Sequence, residues 1–296
     1  MISRVTTQTQ MRSAQTNLQA NLARMAQLQE QVTSLTAITR PSDDPARAAD
    51  SLAVRAEQRA VTQYARNADN GDGWLTAAGT ALAEATDLLN QIRDLTVQGA
   101  NAGALSPAAK EAIAARLDGL TQNLLAQANA GYLGRSVFAG NSDAGVAFRA
   151  GPDFTFTGTA TASVDRRIGA HTTVKVDADG AAIFGEGDAS IFALIGVIAD
   201  DLRTGTNVGS HLAAVDLAMK TVLTAHTDVG VRQAQIQKAG EALVQHTGNL
   251  EAQRAGIEDV DLGQAILDLK LQEVTYQAAL SVTARVLQPT LMNFLR

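Results

Sequence analysis

Between Asp259 and Arg296 the apolar residues fall into two rows at coiled-coil spacing. One row is Val260, Leu267, Leu271, Val274, Ala278, Val282 and Val286. The other is Leu262, Ile266, Leu269, Tyr276, Leu280, Leu287 and Leu291. Val260 and Leu262 stand about 200° apart on a helix of roughly 3.6 residues per turn, so the rows lie on nearly opposite sides. Asp268, Lys270, Gln272, Glu273, Gln277 and Arg285 fill the ground between them. A surface helix needs one apolar stripe; two stripes predict two partners. Pro289 predicts a kink or an end near Leu287.

The first partner is written at the other terminus. Residues 8–38 hold neither proline nor glycine, and Met11, Ala14, Leu18, Met25, Leu28, Val32 and Leu35 fall at a/d spacing, with Asn21 as a polar gap. Two such strands at opposite ends of a chain pair antiparallel if the middle goes out and returns. The N-terminal arm is expected to cover the Val260, Leu267, Leu271, Val274 row. The Leu269, Leu280, Leu287 row is left for another copy or another protein. Burying one stripe does not offset the ordering of two long arms at about 1–2 kcal/mol per residue. The termini are therefore expected to be largely disordered in the free monomer and to fold on assembly.

Arg40-Pro41-Ser42-Asp43-Asp44-Pro45 separates the first arm from the next helix. Pro41 stops the preceding helix, Asp44 is a good N-cap and Pro45 fits the first helical position. Leu75, Ala78, Leu82, Ala85, Leu89 and Ile92 then form a heptad seam. Gln98–Gly103 reads as a loop, and Ser106-Pro107 opens a helix bearing Ile113, Leu117, Leu120 and Leu124 that Gly131 and Gly134 end. From 141 to 188 the composition changes: leucine vanishes, phenylalanine concentrates, and Phe154-Thr-Phe and Thr173-Val-Lys-Val alternate as strands do. Asp179-Gly180 predicts a hairpin turn there. Helix resumes near Ile191, and Leu212, Val215, Met219, Val222, His226, Val229, Ile236, Leu243 and Leu250 form a last long seam.

The expected fold is mainly α: a long antiparallel helical rod with a terminal coiled coil and a small β-rich insert. Residues 1–42 and 258–296 form the terminal assembly domain, 43–140 and 189–257 the rod, and 141–188 the surface insert. Aromatic residues are only 4% against 46% apolar residues, which suits long helices better than a thick globule. The net charge of −6 argues against nucleic acid as a partner. Arg4, Arg12, Arg24 and Arg40 against Glu30 alone make the first arm locally basic, as a solvated coil face can be. No cysteine is present, so disulfides and thiolate metal sites are excluded. No apolar h-region opens the chain and no apolar run is long enough to span a bilayer, so neither a signal peptide nor a membrane is expected.

Candidate chemistry is sparse. His171, His211, His226 and His246 make no metal-binding pair at helical spacing, and His226 sits in a seam. Asp177-Ala-Asp179-Gly180 echoes the start of a calcium loop, but Asp188 stands where the bidentate glutamate belongs. No phosphate-binding loop and no nucleophile beside a base can be read. The chain is expected not to be an enzyme and to hold no cofactor.

One resemblance gathers these features. The hinge Pro41-Ser42-Asp43-Asp44-Pro45, then Asn67, Trp74-Leu75, Gly99-Ala-Asn101, Ala128-Asn129 and Gly134-Arg-Ser-Val-Phe138-Ala-Gly140 resemble the N-terminal half of the flagellar hook-associated proteins of the flagellin superfamily. Glu258-Asp259-Val-Asp261, Gln277-Ala-Ala-Leu280 and Leu291-Met-Asn-Phe-Leu295 resemble the C-terminal half. The hinge with Phe138-Ala-Gly140 is similar to the type that joins hook to filament. The resemblance implies an extracellular structural protein of the flagellum, exported without a cleaved signal. It implies assembly in a ring with copies of itself, hook-associated protein 1 on the hook side, flagellin on the filament side, and an export chaperone at the C-terminal helix. Alternatives are a bulk filament flagellin or a cytoplasmic coiled-coil scaffold. The resemblance also settles one local conflict. Asn70-Gly71-Asp72-Gly73 would ordinarily read as a turn, but a rod must keep Trp74 and Leu75 in phase, so the helix is expected to run through both glycines.

Overall fold

The computed structural model describes residues 7–101, 105–151, 153–159 and 163–287. Seven helices carry it: α1 Thr7–Ser34, α2 Pro45–Ala100, α3 Pro107–Ala128, α4 Gly180–Phe184, α5 Ile191–Thr204, α6 Leu212–Glu258 and α7 Leu262–Leu287. Two small antiparallel ladders accompany them, β1 Gly131–Tyr132 with β2 Arg135–Ser136 and β3 Asp165–Arg167 with β4 Thr173–Lys175. The fold is mainly α, as the sequence predicts. The chain divides into a terminal unit, residues up to 59 and from 247, and a central unit, residues 60–246.

In the terminal unit α1 lies against α7. The α1 seam matches its heptads: Ala14, Leu18, Asn21, Met25, Leu28 and Val32 are the shielded positions, while Met11 and Leu35 at its ends are exposed. The helix ends at Ser34, earlier than expected, and Pro41 is not what stops it. Leu35 turns left-handed at φ 57°. The chain beyond then pairs with the junction between α6 and α7: the Ala37 amide donates to the Glu258 carbonyl at 2.7 Å, the Val260 amide to the Leu35 carbonyl at 3.2 Å, and Thr36 bridges Asp259. These bonds draw backbone groups that one more helical turn would need. Pro45 opens α2, with the Arg47 amide donating to the Asp44 carboxylate at 3.0 Å. Asp43 closes the hinge on itself, accepting from the Arg40 amide and the Thr39 hydroxyl. Of the two hinge carboxylates, Asp44 thus caps α2 and Asp43 closes the turn before it.

In the central unit the buried residues of α2 and α6 recur every seventh position, as Val61, Ala68, Leu75, Leu82 and Leu89 on one helix and Val215, Val222, Val229, Ile236 and Leu243 on the other. Such a repeat keeps two helices in contact along their length. α3 packs on α5, burying Leu117 and Leu124 against Ile195, Ile198 and Leu202. α2 is continuous through Gly71 and Gly73, as the rod requirement predicts. Both glycines permit close approach rather than flexibility. A Cβ on Gly71 would stand 2.8 Å from Ile236 Cδ1, and one on Gly73 would overlap the Tyr132 ring.

The segment 141–188 is organised around phenylalanine. Phe138, Phe148, Phe184 and Phe192 are fully buried, and Phe184 meets the other three rings at centroid distances of 5.4–6.0 Å while Phe148 meets Phe192 at 5.3 Å. Asp179-Gly180 is not a hairpin turn. The Asp179 carboxylate accepts from the Ala182 amide and so caps α4, while the Gly180 amide donates to the Phe138 carbonyl at 3.0 Å. N-capping by aspartate outcompetes the turn reading of the same dipeptide. Several residues of the resemblance hold this region. Asn129 accepts from the Ala147 and Phe148 amides and donates to the Phe148 carbonyl, and Asn67 donates to the Arg167 carbonyl at 2.7 Å.

Candidate assembly interface

The exposed apolar side of α7 is the strongest candidate site, and its position corrects one expectation. The α7 residues shielded by α1 are Ala265, Leu269, Gln272, Tyr276, Ala279 and Thr283, again at alternating four- and three-residue steps. Leu269 and Tyr276 belong to the row expected to face outward. The row expected to be covered is the open one: Leu267 is 66% exposed, Leu271 72%, Val274 65% and Val282 58%. Leu262, Ile266 and Leu280 flank it, also exposed, and Val260 is half-buried. Leu291 and Pro289 lie outside the described residues, and of Leu287 the backbone alone is described.

The reversal has a physical reason. Asn21 occupies a seam position of α1, and an amide among apolar side chains needs a polar partner. The Gln272 amide supplies it, donating to the Asn21 carbonyl and side-chain oxygens at 3.2 and 3.3 Å. Gln272 shares a face with Leu269 and Tyr276. The polar pair turns that face inward and leaves the larger aliphatic row outside. Among the described residues of α1 and α7, Leu28 and Ala265 alone are fully buried. The rest of their apolar surface is half-shielded or open. Contiguous apolar exposure of this kind marks an interaction surface.

The base of this helical hairpin is held by charge. Two of the Arg55 guanidinium nitrogens reach Glu258, Nε to Oε1 at 2.6 Å and Nη2 to Oε2 at 2.8 Å, and the Ser51 hydroxyl also donates to Oε1. The Arg55 hydrogen bonds bring the Glu258 pKa down to about 2, against the opposing effect of burial. Arg47 donates to the Gly256 and Ile257 carbonyls in the last turn of α6, where a cation also meets the negative end of the helix. Asp261 accepts from the Gln264 amide and caps α7. The bidentate clamp was not readable from periodicity, because Arg55 and Glu258 are far apart in the chain and each lies on a polar face. Pro41, Ser42 and Asp43 are exposed beside it, and Asp44 is half-buried.

No group of three or more potential metal ligands occurs among the described residues. No helix among them is long and apolar enough to cross a membrane. What the surface offers is an exposed apolar row along α7.

The family model of the bacterial flagellin N-terminal helical region matches residues 5–143, and that of the C-terminal helical region matches 212–295. The chain belongs to the bacterial flagellin family. Flagellin-family proteins are structural components of the flagellum, and the two matched stretches contain the paired helices α1 and α7. The unmatched stretch, 144–211, contains most of the phenylalanine-centred segment. A 30.7 kDa flagellar filament core protein from Treponema maltophilum is 24% identical over 266 residues, 86% of each chain. A solved flagellar hook-associated protein from Vibrio parahaemolyticus superposes with a TM-score of 0.67 at 20% identity, covering 73% of this chain and all of that one. Flagellar hook-associated protein 3 from Legionella pneumophila superposes at 0.61 with 14% identity, covering 68% and 96%. At these identities the structures establish a shared fold.

Proposed function

We propose that this flagellin-family protein is the subunit that joins hook to filament, hook-associated protein 3, assembling through its terminal helices. One observation carries the assembly reading: the open row Leu267, Leu271, Val274 and Val282 on a helix whose opposite face is already occupied by α1. The interface then comprises that row with Val260, Leu262, Ile266, Leu280, Leu287 and Leu291. On the N-terminal side Leu18, Met25, Leu28 and Val32 close the helix pair from within, and Met11 and Leu35, exposed at the ends of that seam, extend the interface. Residues 1–42 with 258–296 act as the assembly domain, 43–140 with 189–257 as its support, and 141–188 as the outward insert. Pro41 to Pro45 is the hinge between the first two. The junction role is supported by the hinge, by the Phe138-Ala139-Gly140 segment and by the fold shared with hook-associated proteins.

In this role the chain is secreted unfolded by the flagellar export apparatus. It meets copies of itself in a ring, hook-associated protein 1 on the hook side and flagellin on the filament side. An export chaperone covers the C-terminal helix beforehand, shielding the apolar rows. Deleting residues 260–296 abolishes chaperone binding, and retained micromolar binding would refute that assignment. The Treponema filament relative favours a second reading, a bulk filament subunit. Antibody labelling of purified flagella separates the two: one spot at the distal end of the hook for a junction protein, label along the whole filament for a flagellin.

A further inference from the structure

Among the described residues Asp177 is the one ionisable residue that is fully buried, at 1% exposure. It stands two residues beyond β4, where three parts of the central unit are tied together. Its Oδ1 accepts from the Val164 amide, just ahead of β3, at 2.7 Å. Its carbonyl accepts from Arg232 Nη1 of α6 at 2.9 Å, and the Ala178 amide beside it donates to the Val137 carbonyl at 3.1 Å. Val137, Val164, Val176 and Ala178 are buried as well.

The carboxyl is only half satisfied. Oδ2 has no hydrogen-bond partner among the described residues. Two cations face it. Lys175 Nζ, from the end of β4, stands 4.0 Å from Oδ2, beyond hydrogen-bond reach and on an exposed side chain. Arg232, from α6, spends Nη1 on the Asp177 carbonyl and Nε on the Asp228 carbonyl. A buried carboxylate with one oxygen unpaired costs far more than the same group carrying a proton. Burial accordingly pushes the Asp177 carboxyl above its ordinary pKa, against the lowering effects of the Val164 amide, Lys175 and Arg232.

We propose that Asp177 is a proton-gated latch on the β3–β4 hairpin. With its proton in place the neutral carboxyl keeps the Val164 bond and fastens the hairpin within the central unit. Without it the buried charge is drawn toward Lys175 and water, and the hairpin loosens. The stability this group contributes is fully present below the unfolded pKa and is lost as pH rises through the raised, folded one. Glu258 in the terminal unit behaves in the opposite sense, losing its contribution as pH falls. Acid therefore tightens the central unit at one carboxyl while it slackens the terminal unit at another. This holds for the free chain and does not depend on the assembly reading.

Asp177→Asn tests the latch, because asparagine keeps the shape and the acceptor for Val164 but carries no charge. Trp74 reports on the hairpin: Arg166 of β3 lies over its ring at 5.9 Å and donates to Asn70 at 2.8 Å. Wild type and variant, each as the full chain, are unfolded thermally at pH 4 and pH 8 with Trp74 fluorescence as the signal. Native-state hydrogen exchange over residues 163–178 is measured alongside and corrected for the intrinsic rate. The two midpoints are expected to agree within about 1 °C at pH 4, with the variant at least about 2 °C higher at pH 8. The hairpin of the wild type is expected to exchange at least about threefold faster than that of the variant at pH 8. A variant less stable than wild type at pH 8 would show that the ionised carboxylate holds the hairpin, and would overturn the proposal. So would a difference in midpoint that is the same at both pH values, or a wild-type hairpin that exchanges no faster than the variant's at pH 8.

Discussion

Replacing Asn129 with alanine tests whether the segment around Phe148 is fastened by one side chain. Asn129 Oδ1 accepts from the Ala147 and Phe148 amides, each at 2.8 Å, and Nδ2 donates to the Phe148 carbonyl at 2.9 Å. Ala147 and Phe148 are buried, so water replaces these bonds poorly. Each bond contributes about 0.5–1.5 kcal/mol net, and a buried amide left without an acceptor costs somewhat more, so Asn129→Ala is expected to lose about 2–4 kcal/mol. At about 2–4 °C per kcal/mol for a unit of this size, the thermal midpoint falls by roughly 5–15 °C. Asn129→Asp keeps the two acceptor bonds but turns a carboxylate oxygen toward the Phe148 carbonyl, and falls between wild type and alanine. Unfolding of the full chain followed by fluorescence of its single tryptophan, Trp74, reads both variants. A loss below about 0.5 kcal/mol for Asn129→Ala would show that the phenylalanine cluster alone holds the segment.

Glu258→Gln removes a carboxylate whose pKa is held below its ordinary 4.5, down to about 2. Its stabilisation is fully present above the unfolded pKa and disappears as pH falls through the folded one. Allowing for solvent screening, the variant should be about 1–2 kcal/mol less stable at pH 7. That gap should close between pH 4.5 and 2, and a gap constant across this window in urea unfolding would contradict the clamp. Gly73→Ala gains about 1 kcal/mol of helix propensity but drives a methyl into the Tyr132 ring, a clash worth about 1–3 kcal/mol; net destabilisation with red-shifted Trp74 emission is expected, and a stabilised variant would count against the packing. Leu271→Asp charges the open row and should leave the monomer's thermal midpoint within about 0.5 kcal/mol of wild type while the protein is lost from flagella to the medium. Normal retention would mean that this row is not an interface. Amide exchange in dilute monomer should find α1 and α7 weakly protected compared with the buried seams of α2 and α6, and equal protection would contradict folding on assembly.

The seams were legible wherever one period and one face sufficed. The sevenfold steps of α2 and α6 predict their buried residues, and the a/d positions of α1 from Ala14 to Val32 predict its shielded side, because a long helix with one apolar stripe has one way to bury it. α7 was not legible in the same way. Two apolar rows satisfy the same periodicity, and the choice between them falls to Gln272, a polar residue that pattern reading assigns to the surface. Asp179-Gly180 failed for a related reason, since capping and turning use the same residues and tertiary bonds decide between them. The Arg55–Glu258 clamp joins residues far apart in sequence and leaves no periodic trace. Gly71 and Gly73 were legible through the resemblance alone; locally they read as a break.

The Asn21–Gln272 pair also limits how the terminal hairpin can move. Rolling α1 about its own axis loosens many weak contacts gradually. Sliding it by a heptad sets Gln272 opposite Ala14 or Leu28 and Asn21 opposite Ala265 or Ala279, so both amides lose their partner at once. The pair therefore works as a detent: the two helices can rock, but they click into one longitudinal position. Strain applied along an assembled ring would then pass into the exposed row and its neighbours before it could shift the hairpin's register.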